Sequence, residues 1–170
     1  MEFLELAHAR YSCRKLSDRP VDPALVDRIL EAAQCAPTAK NLQAYRLFVI
    51  TGDEGAEKIK QVTRCDFGAK TFIVLGAAEA EAWVRPFDGR TFADVDAGIV
   101  GAHILLEAQA LGLGCTWVGW LDPEKLVSLF PALAGLAVVG LFPIGWPAPD
   151  AEPAPRHFER RPKAEAVQYL

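Results

Sequence analysis

Residues 94–120 read DVDAGIVGAHILLEAQALGLGCTWVGW, and the pattern of this stretch decides how the rest of the chain is arranged. Asp94 or Asp96 can cap the start of a helix, because a carboxylate accepts hydrogen bonds from free backbone N–H groups. From residue 97 to residue 111 the only charge is Glu107, so the sequence predicts a helix that is buried on every side. Gly112 and Gly114 end that helix, and residues 115–120 are predicted to form a strand.

The predicted central helix also suggests self-association. Its small residues Gly98, Gly101, Ala102 and Ala108 recur at helical spacing, and small side chains let a second helix approach closely. A single domain of 170 residues rarely encloses so apolar a helix, so we expect the helix to pack against its own copy in a homodimer. The alternative is an ordinary central helix of a monomer.

Length and charge limit the class of protein. The 170 residues fit a single domain, residues 1–170, and the net charge of −4 argues against nucleic acid or an acidic membrane surface as partner. The uncharged segment 126–149 is interrupted by prolines and glycines, which makes a continuous membrane-spanning helix improbable.

The cysteines and the N-terminus predict a cytoplasmic protein without a metal site. Cys13, Cys35, Cys65 and Cys115 form no CxxC pair, and no histidine lies at metal-ligand spacing from them. Structural thiols in a reducing cytosol explain them best. The first ten residues, MEFLELAHAR, carry acids where a secretory signal would carry bases.

Basic side chains crowd the two ends of this acidic chain, which suggests a local anion site. They are Arg10, Arg14, Lys15, Arg19, Arg156, Arg160, Arg161 and Lys163. If residues 10–14 are extended, Arg10, Ser12 and Arg14 point to one side, where two guanidiniums and a hydroxyl can clamp an anion such as phosphate. A solvated basic turn is the alternative.

Residues 36–43, APTAKNLQ, are predicted to form a polar loop after a helix that Asp22 caps and Pro23 opens. Thr38, Asn41 and Gln43 can hydrogen-bond an amide-rich ring, or they can simply satisfy the geometry of a turn.

The remaining patterns predict mixed helices and strands without a regular βαβ alternation, which favours an α+β fold. We expect helices over residues 2–9, with Phe3, Leu4 and Leu6 inward, over residues 55–64, and from residue 122 to Pro131. Strands are expected over residues 45–51, 72–77 and 137–144. No dinucleotide fingerprint, phosphate-binding P-loop or nucleophile elbow is present in the sequence.

Two segments are predicted to have no core of their own. Residues 79–92 lack a clear period and carry Trp83, Phe87 and Phe92, so we expect a loop that lies over the core or over a pocket. Residues 147–170 form a tail too long to hang free, and we expect it to lie over a partner subunit.

Four segments, taken together, resemble the FMN-dependent nitroreductase family in its short-chain form. They are residues 10–14 (RYSCR), 36–43 (APTAKNLQ), 96–119 with GLGCTW within it, and 160–162 (RRP). The resemblance implies an α+β fold with a central mixed or antiparallel sheet flanked by helices, built as an intertwined homodimer with two FMN sites in the interface. The sequence departs from the family at Ala44-Tyr45, where Pro-Trp is usual, and in the short region before the central helix.

The resemblance also implies the residues that contact FMN. Arg10 and Ser12 would hold its phosphate and ribityl end, joined by Arg160 or Arg161. Arg14 would lie near the N1–C2 carbonyl edge, where a cation raises the reduction potential. The loop would come from the opposite subunit. The full set is Arg10, Tyr11, Ser12, Arg14, Pro37, Thr38, Ala39, Asn41, Gln43, Trp117, Val118, Gly119, Arg160 and Arg161.

The activity implied by the resemblance is that of an NAD(P)H:acceptor oxidoreductase. NADH or NADPH would reduce FMN, and nitroaromatics or quinones would accept the electrons in ping-pong order through flavin N5, without a catalytic side chain. The alternatives are another flavin reaction on the same fold, such as dehydrogenation, dehalogenation or flavin fragmentation, or a non-catalytic flavin binder or sensor.

Overall fold

Four strands build the centre of the molecule, which is a computed structural model that describes residues 2–170. They are β1 (Tyr45–Thr51), β2 (Thr71–Ala77), β3 (Gly114–Cys115) and β4 (Ala137–Gly145). The strands pair antiparallel in the order β1-β2-β4-β3. The sheet therefore has β1 at one edge and β3 at the other, and the predicted α+β class is confirmed.

Helices cover both faces of the sheet. Across the described residues they are α1 (Phe3–Ala9), α2 (Pro23–Gln34), α3 (Gly52–Lys60), α4 (Ala93–Ala110), α5 (Pro123–Leu129) and α6 (Lys163–Ala166). The predicted cap of α2 is confirmed, because Asp22 Oδ1 accepts the Ala24 N–H at 2.9 Å. The helix predicted over residues 55–64 begins and ends earlier, at Gly52 and Lys60.

Strand β2 is buried along its whole length and separates two hydrophobic clusters. Because successive side chains of a strand point to opposite faces, Ile73 and Leu75 pack with Ile104 of α4. Phe72 and Val74 pack on the other face with the cluster that contains residues of α3 and α5. Burying a large aliphatic or aromatic side chain stabilises the fold by about 1.5–3 kcal/mol.

The first turn of the central helix is not capped as the sequence predicted. It begins at Ala93, and its N-cap residue, Phe92, has no capping side chain. Asp94 and Asp96 lie inside the first turn, so the expectation that either caps the helix was wrong. The carboxylate of Asp96 instead accepts the Ala39 N–H at 2.9 Å. The Ala93 N–H at the start of the helix donates to Thr91 Oγ1 at 3.3 Å, so Asp96 holds a distant loop and does not cap the helix.

The small residues of α4 do not form one stripe. A Cβ added at Gly101 would lie 2.2 Å from the Trp117 ring, whereas a Cβ at Gly98 would meet nothing within 4 Å. Gly101 therefore makes room for Trp117 inside the subunit, while Gly98 faces outward. The outer face of α4 is partly exposed in the isolated chain, so the predicted burial on every side is not reached there.

Helix α1 also leaves apolar surface open. Phe3 is 68% exposed and Leu4 is 66% exposed, so the prediction that they pack inward was wrong for the single chain. Helix α1 lies against α4. The exposed side chains of α1 and the outer face of α4 form one apolar region, which we call the α1–α4 face.

The strand predicted over residues 115–120 is mostly absent, because only Gly114 and Cys115 pair as a strand. Val118 makes an isolated bridge to Leu141. Between these points Trp117 turns its ring inward, and its Nε1–H donates to the Val139 carbonyl at 3.2 Å. Gly140 allows this approach, since a Cβ there would lie 2.5 Å from Trp117 Nε1.

The two segments without a core of their own have different structures. Residues 79–92 form a 3-10 turn followed by a hairpin-like loop with a bridge between Val84 and Thr91. The tail beyond residue 151 is largely exposed. Within residues 2–170, no helix has both the length and the apolar character needed to cross a membrane.

Candidate functional site

Four of the eight basic residues at the two ends of the chain line one cleft of about 420 Å³. We call it the cation cleft. It is lined by Arg10, Ser12, Arg14, Ala154, Arg156, His157 and Arg160. The prediction that Arg10, Ser12 and Arg14 share one side is confirmed.

The extended backbone of residues 10–14 produces this arrangement. Ser12 bridges Cys115 in a parallel sense, and the Cys13 N–H donates to the Cys115 carbonyl at 3.1 Å. The segment therefore continues the sheet beyond β3, and its side chains alternate between the cleft and the core. Cys13 is buried beneath the cleft.

Tyr11 lies on the core side of this segment, not in the cleft. Its hydroxyl donates to Cys13 Sγ at 3.6 Å, and burial, helped by this hydrogen bond, raises the pKa of Tyr11 to about 12. The side chain of Tyr11 thus supports the cleft from below. This placement does not agree with a direct contact between the Tyr11 hydroxyl and a ligand in the cleft.

The tail supplies the other cations. A 3-10 turn at Pro155–His157 brings Arg156 and His157 to the cleft, where the His157 ring meets the Tyr11 ring with centroids 6.4 Å apart. Arg160 Nη1 donates to the Glu159 carbonyl at 2.7 Å and also to the His157 carbonyl. Arg161 is outside the cleft and pairs with Glu165 at 3.5 Å.

Arg156 and His157 were not predicted as site residues. Arg156 belonged to the basic cluster that the sequence showed, so its charge was the available signal. His157 carried no signal, because nothing in its spacing separates it from a surface histidine. Its place in the cleft follows from the turn that precedes it.

A second, smaller cleft of about 130 Å³ adjoins the first. We call it the ring cleft. It is lined by Arg14, Cys65, Phe67, Thr116, Trp117, Val118, Gly119 and Trp120. Arg14 lines both clefts, so the two are neighbours that share this side chain. The predicted group Trp117, Val118 and Gly119 is brought together here, and a Cβ added at Gly119 would meet nothing within 4 Å.

Phe67 is the unpredicted residue with the most unusual backbone in the ring cleft. Its φ of 53° places a bulky side chain in the left-handed region, where L-residues are uncommon. Its carbonyl accepts the Leu16 N–H at 3.1 Å, which fixes the conformation. Strain of this kind is held by the surrounding structure and is frequent at functional sites.

The loop at residues 36–43 is shaped by its backbone. Lys40, Asn41 and Gln43 have φ values of 52°, 54° and 51°. The loop is tied at two points, because Asp96 Oδ1 accepts from Ala39 and Thr38 Oγ1 accepts the Gln43 N–H at 3.0 Å. Gln43 Nε2 donates to the Asn41 carbonyl at 3.3 Å, so this amide acts within the loop.

Asp96 is the buried anchor of this loop. Its residue is 2% exposed, and its second carboxylate oxygen, Oδ2, has no hydrogen-bond partner within the described chain. Burial of a carboxylate with one unpaired oxygen is unfavourable. Its place in the first turn of α4 partly offsets this, because helix N-termini favour negative charge.

The loop and the two clefts lie at opposite edges of the sheet. The loop leads into β1, whereas residues 10–14 extend the sheet beyond β3. No residue of the loop is among those that line either cleft. Within one subunit the structure therefore separates the predicted site residues into two groups.

Comparison with known proteins shows the family of the chain. The sequence profile of the Nitroreductase family matches residues 7–71 and 64–146. The chain belongs to the nitroreductase family. A Methanothermobacter thermautotrophicus protein, provisionally named NADH dehydrogenase/NAD(P)H nitroreductase, is 32% identical over 152 residues, covering 87% of this chain and 78% of the relative.

Solved nitroreductase structures share the fold. A nitroreductase family protein from Clostridium difficile 630 matches with a TM-score of 0.91 and 35% identity, covering 99% of this chain and 98% of that chain. A provisionally named nitroreductase from Desulfovibrio desulfuricans, solved in complex with FMN, matches with a TM-score of 0.78 and 29% identity. That match covers 98% of this chain and 95% of the other.

Proposed function

We propose that this nitroreductase-family chain forms a homodimer that binds FMN and uses NADH or NADPH to reduce small acceptors, among them nitroaromatics or quinones. The observation that carries the proposal is that Arg14 lines both the cation cleft and the ring cleft. One cleft is suited to a phosphate ester and the other to the edge of a planar ring. The FMN complex of the Desulfovibrio relative supports the choice of ligand.

The residues of the cation cleft fit the phosphate end of FMN. Arg10, Arg156 and Arg160 offer paired N–H donors, and Ser12 adds a hydroxyl. Arginine binds phosphate oxygens through charge-assisted hydrogen bonds, each worth about 1.5–3 kcal/mol. Arg160 takes this role instead of Arg161, which is engaged with Glu165.

The ring cleft of a single chain is too small to enclose a tricyclic ring by itself. We infer that the loop at residues 36–43 of a partner subunit completes it, because that loop lies at the far edge of its own sheet. The α1–α4 face provides apolar surface for the contact between copies, with Phe3 and Leu4 exposed on it. Tyr169 in the tail is also exposed in the single chain.

FMN, when bound, accepts two electrons from a nicotinamide and passes them to the acceptor. The residues of the chain hold FMN and set the charge around its ring. Arg14 supplies a positive charge that faces both clefts, which favours a more negative ring. The site needs no side-chain acid, since the clefts are open to water that can supply protons. We place this activity in the cytoplasm, where the four free thiols stay reduced.

Anaerobic stopped-flow absorbance tests the proposal directly. We expect the purified dimer to take up FMN and to lose its yellow absorbance when NADH or NADPH is added. Addition of a quinone should then restore the absorbance. Protein that binds FMN but is reduced by neither nucleotide would be a flavin binder or sensor, and protein that takes up no FMN would overturn the assignment altogether.

A further inference from the structure

An arginine and a tryptophan stand together at the mouth of the ring cleft. Trp120 lines the cleft and is 68% exposed. The guanidinium carbon of Arg64 lies over the Trp120 ring, 4.5 Å from its centroid. The buried Thr63 hydroxyl donates to the Trp120 carbonyl at 2.5 Å, which ties the two segments together.

The charge of Arg64 is available to a ligand. Arg64 is exposed and takes part in no ion pair among residues 2–170. The Trp120 ring that it lies over lines the ring cleft, so the guanidinium is beside this cleft. Stacking on the indole holds the planar group in place and reduces the freedom that it must lose on binding.

We propose that Arg64, held by Trp120, selects electron acceptors that carry an anionic group on an aromatic ring, such as a carboxylate. This inference rests on the proposed function. The acceptor ring would enter at the ring cleft, and its carboxylate would meet the paired N–H donors of Arg64. Guanidinium and carboxylate match in shape and bind through two parallel hydrogen bonds.

The expected size of the preference is modest because the pair is exposed to solvent. Exposed ion pairs contribute up to about 1 kcal/mol, which corresponds to about fivefold in a rate ratio. Increasing salt should weaken the preference, because ions screen exposed charges.

Two matched nitroaromatics measure this preference, 4-nitrobenzoate and its neutral methyl ester. In each turnover, one NAD(P)H and one proton convert the nitro group to a nitroso group, giving NAD(P)⁺ and one water. The quantity of interest is the ratio of kcat/KM for the acid to kcat/KM for the ester. In Arg64→Gln we expect this ratio to fall about fivefold, with little change for the ester. Arg64→Lys should retain part of the preference for the acid, since the charge remains but the planar guanidinium with its paired N–H donors is lost.

Arg19→Gln is the matched control. Arg19 also lies over an indole, 3.8 Å from the Trp146 ring centroid, but it lines a different cavity. Its loss should leave the ratio unchanged. An unchanged ratio in Arg64→Gln, or an equal fall in Arg19→Gln, would overturn the proposal. So would a rise in KM for NADPH alone, which would assign Arg64 to the nucleotide.

A binding measurement separates this inference from the proposed activity. The FMN-loaded dimer is titrated with benzoate and with benzamide, which differ mainly in charge and are not reduced. We expect benzoate to bind more tightly, and Arg64→Gln to remove the difference. Equal affinities in the unaltered protein would refute the subsite whether or not the protein reduces nitroaromatics.

Discussion

The cation cleft and the loop at residues 36–43, both parts of the proposed FMN site, differ in how they are built. The cleft consists of long charged side chains from both ends of the chain, of which Arg14 and Arg160 are exposed and Arg10 is partly buried. The loop consists of backbone held in the left-handed region at Lys40, Asn41 and Gln43, and it is tied to the buried Asp96. One region works through charge and the other through shape.

This difference predicts different responses to substitution. In the proposed site the charges of the cleft act directly on the FMN phosphate, so we expect their removal to weaken binding without disturbing the fold. The shape of the loop depends on a contact inside the subunit, so its loss acts on binding through the backbone. The following experiments separate these two modes, and their expected effects decrease in order.

Removal of two cleft arginines should have the largest effect. In Arg10→Ala/Arg160→Ala, two charge-assisted hydrogen bonds to phosphate are lost, so we expect FMN affinity to fall about 100-fold or more. Equilibrium titration of apoprotein with FMN fluorescence measures it. Arg161→Ala is the matched control, because Arg161 pairs with Glu165 outside the cleft and its loss should change affinity little. Equal effects of Arg160→Ala and Arg161→Ala would show that the tail rearranges when FMN binds.

Removal of the loop anchor should have an intermediate effect. Asp96→Ala deletes the acceptor of the Ala39 N–H, and we expect about a tenfold loss of FMN affinity together with about 1–3 kcal/mol lower free energy of unfolding. Asp96→Asn keeps an oxygen at this place, so FMN affinity should stay near that of the unaltered protein. Titration and urea unfolding give the two quantities. Wild-type affinity in Asp96→Ala would remove the loop from the site.

The strands could largely be predicted from sequence because their signals are local. Apolar runs rich in β-formers gave β1, β2 and β4 to within a residue or so at each end. The start of α4 was predicted wrongly because Asp96 bonds a residue 57 positions away, and no local pattern reports that contact. The strand at residues 115–120 failed for a similar reason, since the Trp117 ring occupies space between Gly101 and Gly140.

The site shows the same division between local and distant signals. Alternation along an extended segment was enough to place Arg10, Ser12 and Arg14 on one side. Two of the three left-handed residues of the loop had no signal, because Lys40 and Gln43, unlike Asn41, are not residue types that favour this conformation. The left-handed conformation of Phe67 had no signal in the sequence either. Tertiary contacts impose these conformations, so sequence reasoning finds the charges of the site more readily than its shape.

Mixed dimers test whether the two regions come from different subunits. One chain carries Arg10→Ala/Arg160→Ala and the other carries Asp96→Ala, each marked with a separate affinity tag. If each site combines the cleft of one subunit with the loop of its partner, one site in the mixed dimer has both defects and the other has none. We expect about one tightly bound FMN per mixed dimer, half the stoichiometry of the unaltered protein. No restored site would show that each subunit binds FMN alone.

Substitution of Tyr11, which lies beneath the cation cleft, should have the smallest effect on FMN binding. Because its hydroxyl faces Cys13 Sγ, Tyr11→Phe should change FMN affinity by less than about twofold. Its pKa, raised to about 12 mainly by burial, lies above the unfolded value near 10, so the folded protein holds this proton longer. Stability from this residue is therefore present below about pH 10 and is lost as the pH rises toward about 12. Urea unfolding at several pH values across this window should show that Tyr11→Phe loses less stability with rising pH than the unaltered protein. A large fall in FMN affinity in Tyr11→Phe would contradict this placement. It would mean that the Tyr11 hydroxyl turns into the cleft and contacts FMN there.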